Sequence, residues 1–146
     1  ERLTRRSIAP SPDVAIPFRP FEALLQDSDI VSMHIPLPAA PRGIIDAAAL
    51  ARLRPGAILI NTARGELVDA AALHAALANG RLRGAGLDVF AQEPVPADDP
   101  LLALDSVVLA PHLAWLTAGT LERSLAVAVE NCRRLARGAP LLHRVV

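Results

Sequence analysis

Lysine and tyrosine are missing from this 146-residue chain, and cysteine, methionine and tryptophan occur once each. A single cysteine, Cys132, excludes a disulfide framework within the chain and leads us to expect a reducing, cytoplasmic setting. No apolar run approaches the roughly 18 residues of a membrane span, and the opening residues do not read as a cleavable signal. An excess of charge is also lacking. The 15 basic and 15 acidic residues cancel, and no basic stripe exists to meet nucleic acid. No spacing of metal ligands is present, so no metal site is expected. Because every basic residue outside histidine is arginine, an arginine needs more than its identity to count as functional.

What is plentiful is apolar surface. Hydrophobic residues make up 52% of the chain, enough for a packed core of one ordinary domain. The segment Glu1 to Pro12 is polar and reads as a loop, with Arg2, Arg5 and Arg6 close together. Asp13 to Pro17 is a strand candidate. Pro20 suits the first turn of a helix carrying Phe21, Leu24 and Leu25. Asp29 to Ile35 is a second strand, closed by Pro36 and Pro38. Asp46 is placed to cap a short helix that Pro55-Gly56 stops. Ala57 to Asn61 is a third strand. Asp69 caps the next helix, with Gly80 at its C-terminal end. Gly84 to Val89 and Val107 to Ala110 complete the strands. A long helix is expected from about Thr117 to Arg137, its stripe of Leu121, Leu125, Ala128, Cys132 and Leu135 recurring at helical spacing. On that stripe Cys132 is expected in the core; Trp115 is either core, a wall of a pocket, or a contact for a second subunit.

Strands alternating with helices at short spacing predict an α/β fold with a parallel, doubly wound sheet. Sites in such sheets gather at the carboxyl ends of the strands. Here those ends carry His34, Thr62 to Arg64, Asp88 and His112, so the notable polar residues fall on one rim.

Arg64 can grip a carboxylate through two parallel hydrogen bonds, a geometry lysine cannot reproduce. His112 is the residue type that both gives and takes a proton near neutrality. Glu93, if bonded to that imidazole, would favour its charged form and fix its orientation. Asp88 is suited to accept a hydrogen bond from an amide of a cofactor. Each has a bland alternative: a solvated arginine, a loop carboxylate, a histidine at a strand end. Asp88 is the hardest to dismiss, since a carboxylate in an apolar run is costly unless used or paired.

Five segments occur in order: His34-Ile-Pro-Leu37, Pro55-Gly-Ala-Ile-Leu-Ile-Asn-Thr-Ala-Arg-Gly65, Gly84-Ala-Gly-Leu-Asp-Val-Phe90, Glu93-Pro94 and Pro111-His112. Together they resemble the nucleotide-binding domain of the D-isomer-specific 2-hydroxyacid dehydrogenases, from about Asp13 to the C-terminus. The resemblance implies hydride transfer between NAD or NADP and a small 2-oxo or 2-hydroxy acid. It implies Arg64 as the carboxylate-binding arginine, His112 as the general acid/base and Glu93 as its partner. It implies His34, Pro36, Thr62, Ala63 and Asp88 as residues lining the cofactor, and a homodimer for the intact enzyme.

One motif is absent. No Gly-x-Gly-x-x-Gly occurs, although a dinucleotide pyrophosphate normally sits on that turn. The resemblance places it upstream of Glu1. We therefore expect residues 1–146 to be the C-terminal part of a dinucleotide-binding domain lacking its first two strands, with 117–146 as a helix and tail returning towards a substrate domain. In the strand order 3-2-1-4-5-6, Asp13 to Pro17 would be strand 3 and Asp29 to Ile35 strand 4, each without its neighbour. Such a fragment is expected to be inactive by itself. The alternatives are a dinucleotide-sensing, corepressor-like binding protein and an inactive truncated remnant.

Overall fold

A computed structural model describes residues 18–36 and 41–144. The expected strand at Asp13 to Pro17, the arginines of the opening loop and the Leu37 to Ala40 loop lie outside the described residues. The chain divides into two compact units, Glu1–His112 and Leu113–Val146.

Among the described residues the first unit is built on a parallel sheet of four strands in the order β1-β2-β3-β4: Ile30–Met33, Ala57–Asn61, Leu82–Leu87 and Val107–Leu109. The register follows from burial. Every residue of β2 (Ala-Ile-Leu-Ile-Asn) is buried or half-buried, as a central parallel strand requires, whereas β1 alternates exposed and buried. Among the described residues β1 is therefore an edge strand, and Ile30 on it is exposed.

Three helices, α1 (Phe21–Asp27), α2 (Ala47–Arg52) and α3 (Ala70–Ala78), join or precede the strands. Their starts are chemically determined. The Asp46 carboxylate accepts from the Ala49 N–H at 2.8 Å, and Asp69 accepts from the Ala72 N–H at 3.0 Å. Each satisfies a backbone donor that has no partner within its helix, a contribution of about 0.5–2 kcal/mol. Past α3, Gly80 takes a positive φ of 74°, where a side chain would be strained. Leu25, Leu50, Leu53, Leu59, Leu67, Leu73 and Leu82 bury completely between helices and sheet.

Several boundaries differ from the sequence reading, the last strand ending at Leu109 rather than Ala110 among them. The second expected strand shortens to Ile30–Met33, because its pairing with β2 stops at Asn61. The strand expected at Gly84 to Val89 begins at Leu82 and ends at Leu87, where pairing with both neighbours ceases. Asp88 thus stands on the loop just past the strand. Pro20 occupies the N-cap of α1 rather than its first turn.

The second unit holds one long helix, α4 (Ala118–Ala136), capped by the Thr117 hydroxyl on the Thr120 N–H. Its tail folds back on it: the Asn131 amide donates to the Leu142 carbonyl and accepts from the Leu142 N–H, while Arg134 donates to the Pro140 carbonyl. The apolar stripe exists as read, but no residue of α4 is buried, and Leu121, Leu125 and Leu135 are exposed. The expectation that Cys132 lies in a core is overturned, since it is exposed, and of the places left open for Trp115 the core is excluded, since that side chain is exposed too. The physical reason is that a lone helix with a short tail supplies no second layer to cover its stripe. Among the described residues no helix is long and apolar enough to cross a membrane.

Candidate active site

Arg64 follows a turn that is locked from beneath. Asn61, 1% exposed, closes β2 with its backbone and the turn with its side chain. Its Oδ1 accepts from the Ala63 N–H at 3.0 Å, and its Nδ2 donates to the Arg64 carbonyl at 2.8 Å. A short amide side chain bonding to the following backbone is what replaces strand pairing by a turn. The Asn61 carbonyl in turn accepts from the Asp88 N–H at 3.0 Å, tying the turn to the end of β3.

Gly65 completes the lock. A Cβ built there would lie 1.9 Å from the Phe90 carbonyl carbon, so only glycine lets the two backbones approach. The Arg64 side chain is left exposed, with Nη1 donating to the Ala63 carbonyl at 2.6 Å.

On the Phe90 side of this contact the chain turns through Glu93. One carboxylate oxygen accepts from the Phe90 N–H at 2.9 Å; the other meets His112 Nδ1 at 2.9 Å. These bonds hold the Glu93 carboxyl below its ordinary value of 4.5, with the imidazole contact as the larger cause and the Phe90 N–H as the second. An ionised carboxylate only accepts hydrogen bonds, so Nδ1 carries the proton and Nε2 is the nitrogen that gains or loses one. His112 itself stands at a φ of 56°, in the left-handed region. Such a conformation is uncommon outside glycine and costs of order 1–3 kcal/mol.

Arg64 is a wall common to two clefts. One, of about 260 Å³, is lined by Arg64, Gly65, Phe90, Glu93 and His112 among others. The other, of about 270 Å³, is lined by His34, Ile35, Pro36, Thr62, Ala63 and Arg64. The structure therefore brings together the three residues read as catalytic, and separately four of the five read as cofactor-lining. His34 also meets the Ser32 hydroxyl at 2.8 Å through its Nε2. Asp88, 4% exposed, borders neither cleft. A larger groove of about 490 Å³ lies between α2 and α3, but it is walled mostly by alanines. Its one charged group, Arg81, is spent on the Ala51 and Leu53 carbonyls. Among the described residues no cluster of three or more His, Cys, Asp or Glu is placed to hold a metal.

Sequence reasoning passed over Asn61 and the Gly65–Phe90 contact. A polar amide ending an otherwise apolar strand, followed by small residues, was the available signal for Asn61; the close approach to Phe90 left none.

Comparison with known proteins accords with this arrangement. Residues 4–114 match the family model described as D-isomer specific 2-hydroxyacid dehydrogenase, NAD binding domain. A glyoxylate reductase from Korarchaeum cryptofilum is 46% identical over 126 residues, which cover 86% of this chain and 38% of that protein. A D-lactate dehydrogenase with NAD+ from Lactobacillus jensenii superposes with a TM-score of 0.86 at 33% identity, over 96% of this chain and 46% of that one. A D-isomer specific 2-hydroxyacid dehydrogenase from Xanthobacter autotrophicus Py2, solved with NADPH, gives 0.72 at 43% identity, over 86% of this chain and 51% of that one. The chain thus spans about half or less of each of these relatives. Its four-stranded parallel sheet is of the Rossmann type, and the chain belongs to the family of D-isomer specific 2-hydroxyacid dehydrogenases through their NAD-binding domain.

Proposed function

We propose that the chain is the C-terminal part of the dinucleotide-binding domain of an enzyme that interconverts a small 2-oxo acid and the corresponding 2-hydroxy acid with NAD(P)H. The observation that carries this reading is the position of Arg64, shared between a cleft ending in the Glu93–His112 pair and a cleft at the carboxyl ends of β1 and β2. The second cleft suits a flat nicotinamide ring: Pro36, Thr62 and Ala63 are small or rigid, and the rim of a parallel sheet is where dinucleotides bind. His34 and Ile35 complete that wall, and Asp88 is assigned to the carboxamide as a nearly buried carboxylate on the same rim. The relatives solved with NADPH and with NAD+ support either dinucleotide.

NAD(P)H, when bound, supplies the hydride. Arg64 leaves the Ala63 carbonyl and grips the substrate carboxylate through its guanidinium fork, orienting the adjacent carbonyl. His112 donates the Nε2 proton to the carbonyl oxygen as the carbon is reduced, and takes it back in the reverse direction. Glu93 orients the imidazole through Nδ1. The exposed stripe on α4 supports a further packing partner in the intact enzyme, a substrate domain or the second subunit of a homodimer. The lone thiol supports a reducing, cytoplasmic setting.

In the full-length enzyme, turnover of NADH or NADPH with glyoxylate, hydroxypyruvate or pyruvate tests the reading. Arg64→Ala is expected to raise the KM for the 2-oxo acid about 10- to 100-fold, the loss of a charged hydrogen-bonded contact. An unchanged KM in that variant would remove Arg64 from the site.

A further inference from the structure

Resting on the reading of Arg64 as the carboxylate clamp, we propose that Asn61 is a positioning residue that sets where the guanidinium stands. Three observations carry this. Asn61 is 1% exposed, so its amide is closed off from bulk solvent and must find its partners within the protein. Both ends of its amide are used on the peptide groups that bracket Ala63-Arg64, the Ala63 N–H at 3.0 Å and the Arg64 carbonyl at 2.8 Å. Its backbone carbonyl meanwhile holds the Asp88 N–H at 3.0 Å, so the same residue joins the turn after β2 to the turn after β3.

The functional consequence follows from where the bonds fall. Arg64 lies on the wall between the two clefts and Ala63 lines the second of them, and the Asn61 amide fixes the backbone of both. Arg64 has a long, flexible side chain whose own contact, to the Ala63 carbonyl, is made to this same turn. Its reach into the cleft is therefore defined by backbone that Asn61 holds rather than by side-chain neighbours. A shift of the turn by one ångström displaces the fork from a bidentate to a one-point contact, and misplacements of that size reduce reaction efficiency about 10²-fold. The amide bonds are made to the turn and none of them to the imidazole, so their loss bears first on Arg64 and reaches the Glu93–His112 pair only through the Gly65–Phe90 contact.

The test uses the full-length enzyme with Asn61→Ala, which removes both bonds, and Asn61→Ser, whose hydroxyl can still accept from the Ala63 N–H. Steady-state KM for the 2-oxo acid and inhibition by oxamate, a carboxylate-bearing isostere, are measured beside kcat per active site, with Arg64→Ala as reference. We expect KM and the oxamate constant to rise together by about 10- to 100-fold in Asn61→Ala, with a smaller rise in Asn61→Ser and the pH profile of kcat unaltered. A fall in active-enzyme concentration and melting temperature with KM and oxamate affinity unchanged overturns the proposal and leaves Asn61 a folding residue. If Asn61→Ala yields no folded protein, Asn61→Ser alone decides between these outcomes. If Arg64→Ala leaves KM unchanged, the clamp reading fails first; if Arg64→Ala weakens carboxylate binding and the Asn61 variants do not, only the positioning role fails.

Discussion

Arg64 and His112 line one cleft, yet the backbone beneath them is secured in opposite ways. The turn under Arg64 is fixed from inside the protein, by a buried amide on two of its peptide groups and by a glycine pressed against Phe90. His112 and Glu93 hold each other from the surface, their side chains 43% and 39% exposed, with the imidazole on a backbone bent into the left-handed region. The turn that carries Arg64 is thus braced before anything binds, while the His112 side depends on one exposed hydrogen-bonded pair. In solvent such a pair is stabilised only modestly. Its contribution is orientation: it engages Nδ1 and leaves Nε2 as the other ring nitrogen.

Breaking the contact between the two halves should have the largest effect. In Gly65→Ala the new Cβ would overlap the Phe90 carbonyl, so the Phe90 turn must move away and take the Glu93 anchor with it. We expect destabilisation of about 1–3 kcal/mol, as for overpacked interiors, together with loss of turnover. Thermal unfolding and initial rates measure the two. An alanine variant that keeps wild-type stability and rate would show that the halves are not braced against each other.

Glu93→Gln sharpens the comparison with a smaller effect. The Glu93 carboxyl is held below 4.5 in the folded protein, so its contribution to stability is complete above that ordinary value and is lost as pH falls through the lowered one. The variant should have a flatter acid-side stability profile, seen by denaturant unfolding between pH 6 and pH 3, and a lower turnover than wild type at neutral pH. Equal acid slopes would mean that the Glu93–His112 pair does not persist in solution.

The Arg64 side was the more legible from sequence. Ala57 to Asn61 reads as a buried parallel strand because both its faces are covered, and its observed limits are those expected. Asp46 and Asp69 announce their helices by local chemistry, which needs no tertiary context. The residues read as catalytic, Arg64, Glu93 and His112, come together on one cleft because parallel strands deliver their carboxyl ends to one rim. What was not legible depends on contacts distant in sequence. The end of β3 is set by pairing with β2 and β4, so Asp88 falls beyond it. The apolar period of α4 correctly gave a helix but not burial, since periodicity says which face is apolar and not whether anything covers it. Cys132, read as core from its place on that stripe, was misplaced for the same reason. Asn61 was overlooked because an amide's role is written in its partners.

The most direct measurement is a double-mutant cycle on kcat/KM for one 2-oxo acid, using Arg64→Ala, His112→Ala and the pair in the full-length enzyme. His112→Ala alone should cost about 10²–10⁴ in rate as the proton donor is lost. If Arg64 and His112 act on one bound substrate, the double variant should lose far less than the product of the single losses, because groups working as a unit are strongly non-additive. Penalties that simply multiply, or a His112→Ala variant with undiminished turnover, would contradict a single catalytic site on this rim.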